Sequence, residues 1–286
     1  MMAVILKGKE VAQHKRSQIM ARVGKLKAMN IYPALNIIMV GGREDAKAYA
    51  RGASKALSEC GIDCHTAAFP EDIGKEQLIE EISAMNNDPR VHGLLVMRPI
   101  PGEIGWDAVE RNISPDKDVD CITMHNLSKV FKGKEGGFNP CTAQAVMEIL
   151  NHYNIDVEGR KVVVVGRSMV VGKPAAMLLL KRNATVTVCH SKTKDLARET
   201  SAADVIVAAA GVPKMIGAGH VKRGSVVIDV GINMVSGRLV GDVDFDELEP
   251  LVSMITPVPG GVGSVTTTVL MENILTAAER LAGKPG

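Results

Sequence analysis

The chain has 286 residues, 46% hydrophobic and 23% charged, with a net charge of +2 at pH 7. That balance suits a globular protein of two lobes, each roughly 100–150 residues. It argues against a nucleic-acid binder relying on a strong positive field, and no apolar run is long enough to read as a membrane span or a signal peptide. Aromatic residues make up only 3%, with Trp106 the single tryptophan, so the core must come from aliphatic side chains and methionine. Five scattered cysteines point to a reduced, cytoplasmic compartment. Cys60, Cys64 and His65 cluster without a second ligand pair at zinc spacing, so no metal is expected.

In chain order, Lys9 to Met29 carries apolar residues at helical spacing. Ala34 to Val40 reads as a strand, Gly41-Gly42 as a turn, and about Asp45 to Cys60 as a helix. An extended piece at His65–Phe69 precedes a helix near Lys75–Asn86 and an apolar strand, Gly93–Met97, which Arg98-Pro-Ile-Pro-Gly102 ends. Strands alternating with helices predict right-handed crossovers and a parallel sheet. Asp116–Asp120 and the glycine-rich Gly133–Gly137 read as the crossing between lobes. A helix at about Thr142–His152 leads into a second series with strands at Val162–Val165, Thr185–Cys189, Val205–Ala209 and Val226–Val230. Ser236-Gly237 sits between short extended arms as in a hairpin. Thr256–Gly263 and a helix from about Ser264 to Leu281 close the chain.

The most informative stretch is Val162 to Pro174. A β-branched apolar run is followed at once by Gly166, then Arg167 and Ser168, then Gly172 at the start of an apolar-periodic helix. Strand, glycine turn and helix N-terminus suit a phosphate-bearing ligand, since glycine admits close backbone and the first N–H groups face the anion. The spacing is not Gly-x-Gly-x-x-Gly, and a tight βα turn of any α/β protein is the bland alternative. A carboxylate about 20 residues past the turn would hold a ribose 2′-hydroxyl. The second strand ends instead in His190, Ser191 and Lys192, with no carboxylate before Asp195. Together with Arg167 these offer donors and positive charge for a 2′-phosphate, so NADP is preferred, with NAD the alternative.

Five motifs converge on one family: Asp116-Lys-Asp-Val-Asp120 with Asn126, Pro140-Cys-Thr142, Gly166 to Pro174, Val227-Ile-Asp-Val-Gly-Ile-Asn233, and Thr256-Pro-Val-Pro-Gly-Gly-Val-Gly263. From end to end the chain resembles the methylenetetrahydrofolate dehydrogenase/methenyltetrahydrofolate cyclohydrolase family. The resemblance implies a homodimer of two α/β lobes. Residues 1–140, joined by the terminal helix 264–286, would bind the folate; residues 141–263 would be a Rossmann-type dinucleotide-binding domain, with the active-site cleft between the lobes. By resemblance Tyr49 and Asp120 are the catalytic pair, Asp120 matching the aspartate that binds the pterin. Met97, Pro259, Gly260 and Gly261 would line the substrate site with them. Gly166, Arg167, Ser168, Gly172, His190, Ser191 and Ile232 would line the cofactor site.

Departures from the family are equally informative. Its active-site lysine, four residues after the tyrosine and on the same helix face, is Ala53 here. Lys55 lies about 200° away around the helix and does not substitute. The glutamine that supports that lysine is Met97, the usual leucine after it is Arg98, a serine before the tyrosine is Ala46, the glycine after the pterin aspartate is Cys121, and the proline after the last glycine motif is Ser264. Oxidising a methylene bridge between two nitrogens transfers a hydride and needs mostly positioning. Hydrolysing the methenyl product needs activated water and moving protons, where acid–base groups contribute about 10²–10⁴-fold. The expectation is therefore a dehydrogenase with weak or absent cyclohydrolase activity. The alternatives are the bifunctional enzyme, a catalytically silent nucleotide-binding protein, or an enzyme acting on a related one-carbon carrier.

Overall fold

A computed structural model describes residues 2–283 and divides into two compact α/β units. One holds residues 15–129, 134–139 and those from 270 onward; the other holds residues up to 14, 130–133 and 140–269. No helix among the described residues is long and apolar enough to cross a membrane.

The chain opens with β1 (Val4–Ile5) and α1 (Gly8–Ala28), then alternates through β2 (Ala34–Val40), α2 (Glu44–Glu59), β3 (Asp63–Phe69), α3 (Lys75–Asn87) and β4 (Gly93–Val96). These last three strands make a parallel sheet in the order β3–β2–β4. The central strand β2 is apolar and buried along nearly its whole length, as a strand covered on both faces should be. Helix α3 buries Leu78, Ile82 and Met85, spaced to lie on one face, against Ile38, Leu94 and Val109. Two short helices absent from the sequence reading follow, α4 (Trp106–Asn112) and α5 (Met124–Phe131).

The segment between those two helices is not the linker its charges suggested. Asp118 makes an isolated parallel bridge to Leu94, and the Leu94 N–H donates to the Lys117 carbonyl at 2.7 Å, so the turn at residues 117–120 is pinned to the side of β4. Lys117 is buried there because its ammonium donates to the carbonyls of Met85 (3.1 Å) and Asp88 (2.7 Å). Hydrogen bonding to backbone makes the burial of these charges tolerable. The chain changes units after Lys129, Gly133 and Asn139, so the glycine-rich Gly133–Gly137 segment, and not Asp116–Asp120, lies at the crossing.

The other unit contains α6 (Cys141–His152), β5 (Lys161–Val165), α7 (Gly172–Lys181), β6 (Thr185–Cys189), α8 (Leu196–Ser201), β7 (Val205–Ala208), β8 (Val226–Asp229), the antiparallel hairpin β9 (Asn233–Val235) and β10 (Arg238–Val240), α9 (Phe245–Leu248) and β11 (Met254–Ile255). Helix α10 (Val262–Ala282) begins in this unit, and its residues from 270 onward belong to the first. Six strands form a parallel sheet in the order β1–β11–β8–β7–β5–β6. Val163, Ile206, Val227 and Ile255 build its core. From β5 the chain runs to β6 on one side and returns to β7 on the other. The order therefore reverses at β5, and such a switch point, at the carboxyl ends of the strands, is where open α/β sheets bind ligands.

Candidate active site

At that switch point the glycine turn takes its shape from crowding. Gly166 directly follows β5 with φ +127°, a conformation L side chains rarely adopt. A Cβ there would strike the carbonyl of Ala209, just past β7, and a Cβ on Gly172 would strike the carbonyl of Gly166. The Ser168 hydroxyl accepts from the N–H groups of Val171 (3.1 Å) and Gly172 (3.4 Å), fixing the entry into α7. A turn this tightly drawn, opening on a helix N-terminus, fits a phosphate-bearing group brought close to backbone.

The loop after β6 lies beside this turn. Val165 is in register with Cys189, and the Gly166 N–H donates to the Cys189 carbonyl at 2.9 Å. Arg167 is thus brought to the same sheet end as His190, Ser191 and Lys192. The His190 N–H donates to Thr193 Oγ1 at 2.9 Å, and His190 Nδ1 accepts from the Lys192 N–H at 3.1 Å. These bonds fold the loop so that Ser191 and Lys192 stay exposed, as Arg167 does.

Two buried carboxylates tie the remaining loops of this unit. Asp229, ending β8, accepts from the N–H groups of Gly231 (2.9 Å), Asp242 (3.0 Å) and Val243 (3.1 Å). Asp242 accepts from the N–H groups of Ala210 (2.6 Å) and Gly211 (2.8 Å) and from Asn233 Nδ2 (2.9 Å). Ile232 stands between these anchors, 62% exposed at the carboxyl end of the sheet. Burial pushes Asp229 up to about 6, against the pull of its three N–H donors. The Asp229 N–H also donates to Thr256 Oγ1 at 2.6 Å, which tethers the start of the Pro259-Gly260-Gly261 loop. Gly260 has φ +104°, and a Cβ on Gly261 would press on the Pro257 carbonyl. The loop expected to line the substrate site therefore belongs to the same unit as the expected cofactor residues.

Tyr49, Met97 and Asp120 lie in the three-stranded unit. Tyr49 is 42% exposed on α2, while Ala46, Ala50, Ala53 and Leu57 form the buried stripe of that helix. Lys55 is on another face, where with Lys47 and Arg51 it lines a cavity of about 550 Å³. Met97 follows β4, and its N–H donates to the Ile38 carbonyl at 2.8 Å. The loop bearing Asp120 is held by its neighbour Asp118. That buried carboxylate accepts from the N–H groups of Ile122 (2.7 Å) and Thr123 (2.9 Å), from Thr123 Oγ1 (2.7 Å) and from Asn126 Nδ2 (2.9 Å). Cys121 follows with φ 58°, the left-handed geometry that favours glycine, which accounts for a glycine in the family pattern. Burial pushes its thiol well above the ordinary range.

The sequence reading missed Asp242 and Trp106 as parts of these loops, and gave Thr256 no anchoring role. The Arg98 guanidinium stacks on the Trp106 ring, 3.4 Å from its centroid. Burial lowers the pKa of Arg98, and the carboxylates of Asp120 and Glu110 oppose that shift. No spacing rule links residues eight apart across a Pro-Gly loop.

Two family models match in tandem. Residues 6–120 match the catalytic domain of tetrahydrofolate dehydrogenase/cyclohydrolase, and residues 140–282 match its NAD(P)-binding domain. The bifunctional protein FolD of Alkaliphilus oremlandii is 48% identical over 277 residues, covering 96% of this chain and 97% of its own. Among solved structures, the bifunctional FolD dehydrogenase/cyclohydrolase of Campylobacter jejuni superposes with a TM-score of 0.95 at 40% identity, covering 97% of this chain and 99% of its own. The Trypanosoma brucei dehydrogenase-cyclohydrolase, complexed with NADP and an inhibitor, gives 0.94 at 36% identity, with 99% and 100% covered.

Proposed function

The chain belongs to the tetrahydrofolate dehydrogenase/cyclohydrolase family, and on that premise we propose that it oxidises 5,10-methylenetetrahydrofolate to 5,10-methenyltetrahydrofolate with NADP. The observation that carries this reading is the Gly166–Gly172 turn at the sheet's switch point, with Arg167, His190, Ser191 and Lys192 gathered beside it. When bound, NADP supplies the hydride acceptor. Gly166, Ser168 and Gly172 would hold its pyrophosphate, and Arg167, His190 and Ser191 would take the 2′-phosphate. Ile232, on the loop that Asp229 and Asp242 anchor, would line the cofactor site.

We assign the folate to residues 1–140 with the terminal helix, and the cofactor to residues 141–263. Asp120 would accept from the pterin's N–H groups, with Tyr49 and Met97 as further substrate residues of the same unit, and the bare backbone of Pro259-Gly260-Gly261 is assigned to the substrate as well. The hydride leaves a carbon bonded to two nitrogens, whose lone pairs stabilise the methenyl cation, so the protein's main task is orientation. We further place the enzyme in the cytoplasm as a homodimer, with a small-molecule folate as its partner.

The relatives are named bifunctional, which favours a chain that also hydrolyses the methenyl product to 10-formyltetrahydrofolate over the expected dehydrogenase with little hydrolysis. On this preferred reading Tyr49 is the acid–base group remaining on its helix face. One observation favours the narrower activity: Ala53 is buried and carries no amine, and Met97 offers nothing to support one. Paired assays on one preparation decide between them. Oxidation of methylenetetrahydrofolate with NADP and enzymatic hydrolysis of methenyltetrahydrofolate together support the bifunctional enzyme. Oxidation alone supports the narrower one, and neither rate overturns both.

A further inference from the structure

Arg98 stands where the family pattern has an apolar residue, and its setting is specific. Asp118 makes an isolated parallel bridge to Leu94 in β4, which brings the turn carrying Asp120 beside that strand, and the Asp120 carboxylate acts electrostatically on Arg98. Arg98 is two residues past the end of β4, its guanidinium face laid on the Trp106 indole at 3.4 Å. Trp106 is itself set against the core of this unit, so the stacking fixes the plane of the guanidinium while its edge keeps solvent access. The result is an acceptor, Asp120, beside an oriented fork of donors.

A pterin ring presents the complement. Its 2-amino and N3–H groups are donors, and the neighbouring 4-carbonyl oxygen is an acceptor. We propose that Arg98 is a specificity-determining residue of the substrate site, donating to the 4-carbonyl oxygen of the pterin whose N–H groups Asp120 accepts. The inference rests on the folate reading of this unit and deepens it.

The test is calorimetric binding of tetrahydrofolate and of its 4-amino analogue to the intact protein and to Arg98→Leu. The emission of Trp106, the single tryptophan, provides a second signal. Deleting a charged hydrogen bond should weaken tetrahydrofolate about tenfold or more. The analogue, which offers an amine in place of the carbonyl, should bind both proteins alike, and NADP affinity should not change. Arg98→Lys, which keeps charge without the planar fork, should recover part of the loss. Equal weakening of both pterins, or no weakening, overturns the proposal. If the unaltered protein binds tetrahydrofolate with this pattern but does not oxidise its methylene form, the Arg98 assignment stands and the dehydrogenase reading falls. If it binds no tetrahydrofolate, both fall.

Discussion

The carbonyl oxygen of Ala209 lies where a side chain on Gly166 would begin, and that single relationship couples the ends of β5 and β7. Substituting Gly166 forces the two strand ends apart or abandons φ +127°. Strain of this kind costs about 1–3 kcal/mol. Gly166→Ala should therefore lower NADP affinity by roughly tenfold or more, since the turn that meets the phosphates must deform. Titration with NADPH, read by dihydronicotinamide fluorescence, or with NADP, read by tryptophan fluorescence, reports the loss, and an unchanged affinity would remove the turn from the cofactor site.

Cofactor choice should reside in the neighbouring loop. Ser191→Asp places a carboxylate beside Arg167 and Lys192, where the 2′-phosphate is assigned. The expected outcome is a fall of roughly 10–100-fold in kcat/KM with NADP and little change, or a gain, with NAD. Parallel loss with both cofactors would indicate damage to the loop rather than to recognition.

The bifunctional reading makes a prediction at Ala53. If a group that handles water is already present, Ala53→Lys with Met97→Gln should change hydrolysis of methenyltetrahydrofolate by less than about tenfold. A gain of about 10²–10⁴-fold would instead mean that the missing lysine and glutamine had removed the second activity. Ala53 is buried, so thermal melting must first show that the variant folds.

Asp229 gives the pH dependence a sign. Its native pKa, near 6, lies above the ordinary carboxylate value, so the folded protein binds more protons than the unfolded chain between about pH 4 and 6. This group's contribution to stability is fully present below that window and is lost as pH rises through it. Asp229→Asn should flatten that part of the profile of melting temperature against pH. A profile of unchanged slope would contradict the assignment.

Local chemistry made most strands and long helices legible. The valine run before Gly166 could be little other than a buried strand, and Leu78, Ile82 and Met85 mark α3 by spacing alone. The expected strand at Gly93–Met97 and the helix at Lys75–Asn86 are found within a residue of their bounds. What escaped depends on partners far away in sequence. Strands β1 and β11 have two residues each, too few for a period, and exist because they pair with each other. Asp118 looked like one charge in an acidic linker, and only the fold shows it buried under four donors from Ile122, Thr123 and Asn126. Asp242 gathers Ala210, Gly211 and Asn233 from loops that no motif connects. The glycine turn and its basic neighbours could be named from sequence; the carboxylates that hold the loops around them could not.

The most direct test is the appearance of reduced nicotinamide when the purified protein is given 5,10-methylenetetrahydrofolate and NADP. The expected result is turnover that depends on both reactants and that needs more NADP in Gly166→Ala. A preparation that binds NADP and tetrahydrofolate yet forms no reduced cofactor would contradict it.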